Sequence, residues 1–386
     1  MRARRPDPAS DARFLREALR LARRGRGTTD PNPMVGAVLV RGARILGRGW
    51  HRVAGGPHAE IEALRDAARR GARVRGATLY VTLEPCSTHG RTPPCTEAIL
   101  AAGLRRVVVA ATDPNPAHAG RGFRKLRRAG LAVDHGLLAD EATRLNEAFN
   151  HWIVHRTPFV TVKAAMTLDG RIATAAGESK WITGEPARAA GRKLRNEAGA
   201  ILVGVNTVLA DDPSLTRRDG PAPRPGHRTA ATAPPLRRII LDSRARTPLT
   251  SRVVTDGAAP TVVVVTREAP ARRVAALARR VTVWTCPGRR GRRGIDPGWL
   301  LQRLGGEGVT RLLVEGGGEV NAAFLFGGWA HRVAFFYAPR VLGGRAARRA
   351  VAGLGAADRR GLPALRDVRW RQLGEDWLMT ALVSPP

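Results

Sequence analysis

The chain has 386 residues, 43% of them hydrophobic, with three cysteines and a formal charge of +33. That length accommodates two domains, no apolar run reaches the ~18 residues a membrane-spanning helix needs, and three cysteines are too few for a disulfide framework. Four of the 65 basic residues are lysine (Lys125, Lys163, Lys180 and Lys193), leaving 61 arginines scattered through every segment. Such a spread reads as composition and solvated faces, with no specific nucleic-acid partner. The basic N-terminus MRARRPDPASDAR lacks an apolar core, so no secretory signal or membrane partner is expected and the reading is a cytoplasmic enzyme.

Residues 10–25 (SDARFLREALRLARRG) predict an amphipathic helix capped by Ser10, with Phe14, Leu15, Ala18, Leu19 and Ala22 on one stripe and Gly25 at its end. Strands are expected at 34–40 and 43–50, a helix at 58–72, a strand at 77–84 and a helix at 94–103 that starts on Pro94. A strand at 105–113, a helix at 122–130 and a strand at 131–136 complete a layered α/β series. Residues 140–158 predict one connecting helix stopped by Pro158. A second series then supplies strands at 159–166, 200–205, 237–243, 260–266, 281–285, 310–316 and 331–339, with a hairpin at 368–383. The Pro/Gly-rich run 220–237 reads as a surface loop.

Between the first helices and strands lies a set of metal-binding residue types. HAE (58–60) precedes EPCSTHGRTPPC (84–95), so His58, Cys86 and Cys95 offer one imidazole and two thiolates. A structural zinc site uses four protein ligands; three leave a position for water. Two thiolates offset much of the metal's charge, so a nearby base is needed, and Glu60 supplies it. His58 and Cys95 each fall at a predicted helix start, where the backbone favours a thiolate. Zinc deaminases carry H-x-E … P-C-x-x-C with the Glu as acid/base. The competing reading is a closed structural site with His51 or His89 as fourth ligand.

TDPNPMVGA (29–37), GWHRVAGGPHAE (49–60), VTLEPCSTHGRTPPC (81–95) and TDPNPAHAGRG (112–122) together resemble the RibD family of the riboflavin pathway, which joins a pyrimidine deaminase to a pyrimidine reductase. The resemblance implies a cytidine-deaminase-like three-layer α/β/α domain over 1–150, with zinc on His58, Cys86 and Cys95. It puts Asn32, His51 and Arg91 in contact with substrate. Read alone, Asn32 is a turn residue between prolines and His51 a surface histidine. Thr88 stands where that family usually has histidine.

VTVKAAMTLDGRIAT (160–174), GESKWITG (177–184), AILVGVNTVLADDPSLTRR (200–218), ILDS (240–243) and LLVEGGGEVNAAFL (312–325) extend the resemblance to the reductase half, implying a dihydrofolate-reductase-like α/β domain over 151–386. By residue reading, Gly316–Gly318 form a strand–loop–helix that suits a phosphate or is a plain turn. Lys163, alone in an apolar strand, needs a partner such as Glu315, either at the reacting site or as a structural ion pair. The resemblance implies that Ser179, Arg195, Leu215, Arg218 and Glu315 line the substrate. It implies NADPH at Met166, Trp181, Thr207, Asp211, Ser243, Gly317, Gly318, Glu319, Val320 and Asn321, with Lys163 and Glu315 beside the reacting sugar. Asp211-Asp212-Pro213 otherwise reads as a turn and Trp181 as core. The expected activities are zinc-dependent deamination of a phosphorylated diaminopyrimidine and NADPH-dependent reduction of its ribose, in a homo-oligomer. The rival readings are a nucleic-acid base deaminase with a basic second domain, a non-catalytic basic binding protein, and an enzyme with one competent domain.

Overall fold

The computed structural model describes residues 8–89, 93–217, 235–288 and 294–384. They form two compact units that meet in sequence at Arg156 and Thr157. Arg91, Arg218 and most of the 220–237 loop lie outside the described residues. Among those described, no helix is long and apolar enough to cross a membrane.

The first unit is built on strands β1 (Gly36–Arg41), β2 (Arg44–Trp50), β3 (Thr78–Leu83), β4 (Arg106–Ala111) and β5 (Ala132–His135), in the spatial order β2-β1-β3-β4-β5. β1 runs antiparallel to β2 and β3, whereas β3, β4 and β5 are parallel. Its helices are α1 (Pro8–Ala22), α2 (Ala59–Arg69), α3 (Cys95–Ala101), α4 (Arg121–Arg128), α5 (Ala139–Leu145) and α6 (Glu147–His155). Alternate residues of β1 feed opposite cores, as strand geometry dictates. Val38 and Val40 meet α1 and α5 on one face; Ala37 and Leu39 meet α2, α3 and α4 on the other. The result is three layers, α/β/α.

Two expectations are corrected. α1 begins at Pro8, so Ser10 lies inside it and is not its cap, and its last turn tightens into a 3₁₀ segment at Arg23–Gly25. The helix expected over 140–158 is broken at Asn146. That side chain is buried and accepts from the Met34 N–H (2.8 Å) while donating to the Met34 carbonyl (2.9 Å). A long-range polar anchor outweighs local helix periodicity there.

The second unit contains β6 (Phe159–Thr167), β7 (Arg171–Ala173), β8 (Ala200–Gly204), β9 (Arg237–Leu241), β10 (Thr261–Thr266), β11 (Thr282–Cys286), β12 (Arg311–Val314), β13 (Arg332–Ala338), β14 (Arg348–Arg349), β15 (Ala364–Leu373) and β16 (Asp376–Ser384). Nine of them form one sheet in the order β11-β10-β9-β8-β12-β6-β13-β16-β15, while β7 and β14 pair separately. The strands from β11 to β13 are parallel; β16 and β15 close the sheet antiparallel. Helices α7 (Glu185–Glu197), α8 (Val205–Asp211), α9 (Arg252–Thr255), α10 (Ala271–Ala278), α11 (Pro297–Gly306) and α12 (Gly318–Phe326) cover it. Val160, Val162 and Leu312 pack on α11 and α12 residues, whereas Ile201, Val203 and Leu313 pack on Val253 and Leu277. Both faces are therefore buried, which is why these strands read as near-continuous apolar runs. The expected C-terminal hairpin is present but starts earlier, at Ala364.

Candidate active sites

In the first unit, His58 is the N-cap of α2, and Glu60 lies in that helix's first turn. α2 sits directly on β2 because Gly47 and Gly49 carry no side chain: a Cβ at Gly49 would lie 2.2 Å from the Ala59 carbonyl oxygen. Cys86 follows β3, and Cys95 opens α3. The Cys95 N–H donates to Cys86 Sγ (3.3 Å), and the Thr96 N–H donates to the Cys86 carbonyl (3.2 Å), folding the start of α3 over Cys86. His58 Nδ1 lies 3.5 Å from Cys86 Sγ and 3.3 Å from Cys95 Sγ. Tetrahedral zinc, with Zn–S about 2.3 Å and Zn–N about 2.0–2.1 Å, separates such donors by about 3.5 Å, so the trio fits the ion. Among the described residues it is the one cluster of three donors able to hold a metal.

The charges agree with the geometry. The hydrogen bond from Cys95 pulls the Cys86 thiol down to about 4, against burial and with help from His58. Cys95 is pushed up, as the holder of the shared proton, with burial and Glu60 adding to the effect. A divalent cation displaces that proton. Glu60 is buried, and burial first, then the Cys86 charge, pushes its carboxyl up to about 7.

Neither candidate fourth ligand joins the trio. His51 Nδ1 bonds the Pro57 carbonyl (3.0 Å) and Nε2 lies 3.1 Å from Asn32 Nδ2. That pattern assigns a neutral ring protonated on Nδ1, and burial lowers its pKa. His89 is exposed and faces Glu97 at 3.8 Å; Thr88 beside it is exposed too. Asn32, His51, His58, Glu60 and Cys86 instead share the wall of a cavity of about 200 Å³.

Glu84 and Asp113 also line that cavity, and sequence reasoning missed both. Glu84 accepts the N–H groups of Asp113 (3.2 Å), Gly120 (2.9 Å) and Gly122 (2.8 Å), pinning the segment that carries Asp113. A buried acid ending a strand just before Pro-Cys was the available signal.

The second unit has a cleft of about 1040 Å³ at the C-terminal ends of its parallel strands. Lys163 and Glu315 meet there, 3.7 Å apart, and Arg195 grips Glu315 through two hydrogen bonds (3.2 and 2.7 Å). Burial acts to raise Glu315, but Lys163 and Arg195 outweigh it and hold the carboxyl below its ordinary range. Ser179, Thr207, Asp211 and Ser243 line the same cleft, as do Gly317, Gly318, Glu319 and Val320; the Ser179 hydroxyl donates to Asp211 (3.4 Å). Met166, Leu215 and Asn321 are buried and do not line the cleft, and Asn321 Nδ2 donates to the Ala350 carbonyl (2.8 Å). Trp181 is 63% exposed, so it is not core, and carries the Arg188 guanidinium 4.7 Å over its ring.

The glycine run has a different basis from the one its pattern suggests. A Cβ on Gly316 would lie 2.5 Å from Val320 Cβ, and one on Gly318 would lie 2.3 Å from the Arg349 carbonyl oxygen. Packing requires those two. A Cβ on Gly317 would meet only the Thr207 hydroxyl, at 4.0 Å, and Gly317 is the N-cap of α12 with no side-chain cap of its own. Sequence reasoning also missed the arginines of the cleft, Arg244, Arg246, Arg345, Arg348 and Arg349.

A three-layer unit with a His-Cys-Cys cluster beside a buried glutamate has the parts of a zinc-binding deaminase, and a second unit with a large cleft at its strand ends follows it in sequence. Residues 8–111 match the cytidine and deoxycytidylate deaminase zinc-binding region, and residues 158–379 match the RibD C-terminal domain. The riboflavin biosynthesis protein RibD of Aquifex aeolicus is 43% identical, over 86% of this chain and 88% of that protein. The solved structure of Acinetobacter baumannii RibD (form 1) superposes with a TM-score of 0.83 at 36% identity, over 98% of this chain and 100% of that one. A Thermotoga maritima diaminohydroxyphosphoribosylaminopyrimidine deaminase/5-amino-6-(5-phosphoribosylamino)uracil reductase gives 0.80 at 32%, over 98% and 99%. The chain belongs to the RibD family of bifunctional riboflavin-biosynthesis enzymes, with a cytidine-deaminase-like N-terminal domain and a dihydrofolate-reductase-like C-terminal domain.

Proposed function

We propose that residues 1–150 hydrolyse the 2-amino group of 2,5-diamino-6-(5-phosphoribosylamino)pyrimidin-4(3H)-one, and that residues 151–386 reduce the ribose of the resulting aminouracil with NADPH. The observation that carries the reading is the His58–Cys86–Cys95 trio, with Glu60 buried beside it in the same cavity. The Thermotoga relative's two named activities support the choice of substrates.

When bound at the trio, zinc acidifies a water molecule. Glu60 would accept one proton from the attacking water and pass it to the ring nitrogen, then move the second water proton to the departing amine, so that oxygen replaces nitrogen at C2 and ammonia leaves. His51 orients Asn32, whose amide NH₂ points to the imidazole and leaves its carbonyl oxygen for the ring. Arg91 meets the phosphate. In the second unit, a dinucleotide held in the cleft would supply hydride for reduction of the opened sugar at C1′. Lys163, 3.7 Å from Glu315, would give the proton to the imine nitrogen. Ser179, Arg195 and Arg218 would place the substrate, while Thr207, Asp211, Ser243 and residues 317–320, which line the cleft, would place the cofactor together with Trp181.

The reading extends to a cytoplasmic homo-oligomer acting on small phosphorylated pyrimidines. β15, an edge strand exposing Leu365, Val368 and Trp370, supports self-association, which light scattering tests. Following ammonia release and NADPH oxidation separately in the purified protein tests the two activities.

A further inference from the structure

We propose that Glu84 is a positioning residue of the first unit: it sets the loop that joins β4 to α4 so that the Asp113 carboxylate accepts an N–H of the diaminopyrimidine. The inference rests on the reading of the first unit as a deaminase of that ring.

One carboxylate holds both ends of the loop. Glu84 follows β3, and its N–H donates to the Ala111 carbonyl at the end of β4 (2.9 Å). Its Oε2 accepts from the N–H of Asp113 (3.2 Å), where the loop begins, and of Gly120 (2.9 Å), where it ends. Its Oε1 accepts from Gly122 (2.8 Å) and Phe123 (3.4 Å) in the first turn of α4. Gly120, the N-cap of α4, supplies no side chain, and Glu84 fills that role from the end of another strand. Two glycines let the backbone come so close. Gly120 has a φ of +73°, and a Cβ on Gly122 would lie 2.3 Å from the Pro85 carbonyl oxygen. Glu84 is buried with both oxygens engaged by backbone donors, so its effect reaches the ring through the loop.

The loop passes that hold to Asp113. Asp113 Oδ1 accepts from the Asn115 N–H (2.9 Å), and the Asn115 carbonyl accepts from His118 (2.8 Å) and Ala119 (2.9 Å). Asp113 Oδ2 has no hydrogen-bond partner among the described residues, and Asp113 lines the cavity that also holds His58, Glu60 and Cys86. Asn32 and His51, on the same wall, already face each other at 3.1 Å. An unengaged carboxylate oxygen there complements the amino groups of the ring with a charge-assisted bond. Glu84 and Cys86 are separated only by Pro85. The same short stretch therefore fixes a metal ligand and the acceptor, and holds the ring in register with the reacting carbon.

The test is steady-state ammonia release by the full zinc-loaded protein, with zinc content measured, for wild type, Glu84→Gln, Asp113→Asn and the double variant. Asp113 holds the ring in ground and transition states alike, so its loss raises KM and spares kcat. Each single variant should raise KM for the diaminopyrimidine about 10-fold or more, as loss of a hydrogen bond to a charged group implies. Zinc stoichiometry should match wild type. The double variant should be no worse than the more affected single one, because Glu84 works through Asp113. Losses that multiply, a fall in zinc or kcat in Glu84→Gln, or an unchanged KM in Asp113→Asn would overturn the proposal. Asp113→Asn keeps every contact of Glu84, since all are to backbone, so its KM decides even where Glu84→Gln does not fold. A wild-type protein that releases no ammonia would overturn the proposal together with the deaminase reading, a pattern distinct from the others.

Discussion

Glu60 is two residues from a metal ligand, yet its expected work is proton transfer. Glu60→Gln should keep zinc at wild-type stoichiometry by metal analysis and slow ammonia release by about 10²–10⁴-fold; a rate within about twofold of wild type would remove Glu60 from the proton path. Cys86→Ala should lose both zinc and deamination, since the trio then keeps one thiolate and one imidazole. Glu315 makes a prediction with a sign. Its folded pKa lies below the ordinary 4.5, so its stabilising contribution is complete above that value and fades as pH falls through the lowered one. Glu315→Gln should therefore lower Tm at about pH 7, and the gap from wild type should narrow as pH falls below 4.5 and through the lowered value. The metal trio was legible from sequence because zinc chemistry demands particular side chains, two of them next to proline. Arg244 was not, because one arginine among 61 carries no signal until the sheet aligns it with a cleft.

Whole elements are positioned by contacts that periodicity does not report. α2 carries both His58 and Glu60, and its distance from β2 is set by Gly47 and Gly49. Gly49→Ala would force a Cβ to within 2.2 Å of the Ala59 carbonyl, an overpacking that costs about 1–3 kcal/mol. The expected outcome is a lower Tm and weaker zinc retention, with reduction of deaminated substrate unchanged; unaltered zinc affinity would show that α2 does not set the site. The parallel strands were readable because burial on both faces leaves them apolar throughout. The break at Asn146 was not, since its cause is Met34, 112 residues away in sequence. The glycines after β12 were open to a phosphate loop or a plain turn; all three line the cleft, and Gly316 and Gly318 are also required by packing.

At the scale of the molecule, the account assigns one chemistry to each unit. Chelating the zinc should abolish ammonia release and leave reduction of pre-deaminated substrate intact. The charge of +33 enters only locally: binding to DNA or RNA, measured against salt, should be weak, sequence-independent and steeply salt-sensitive. Tight, salt-resistant RNA binding without turnover of the free nucleotide would favour a nucleic-acid deaminase instead. The most direct measurement is a coupled time course on the purified protein with the diaminopyrimidine ribosylamino phosphate, recording ammonia and NADPH together. The account predicts ammonia release with or without NADPH, and NADPH oxidation only once the amino group has been removed. Ammonia release that survives zinc removal, or no NADPH oxidation with authentic deaminated substrate, would contradict it.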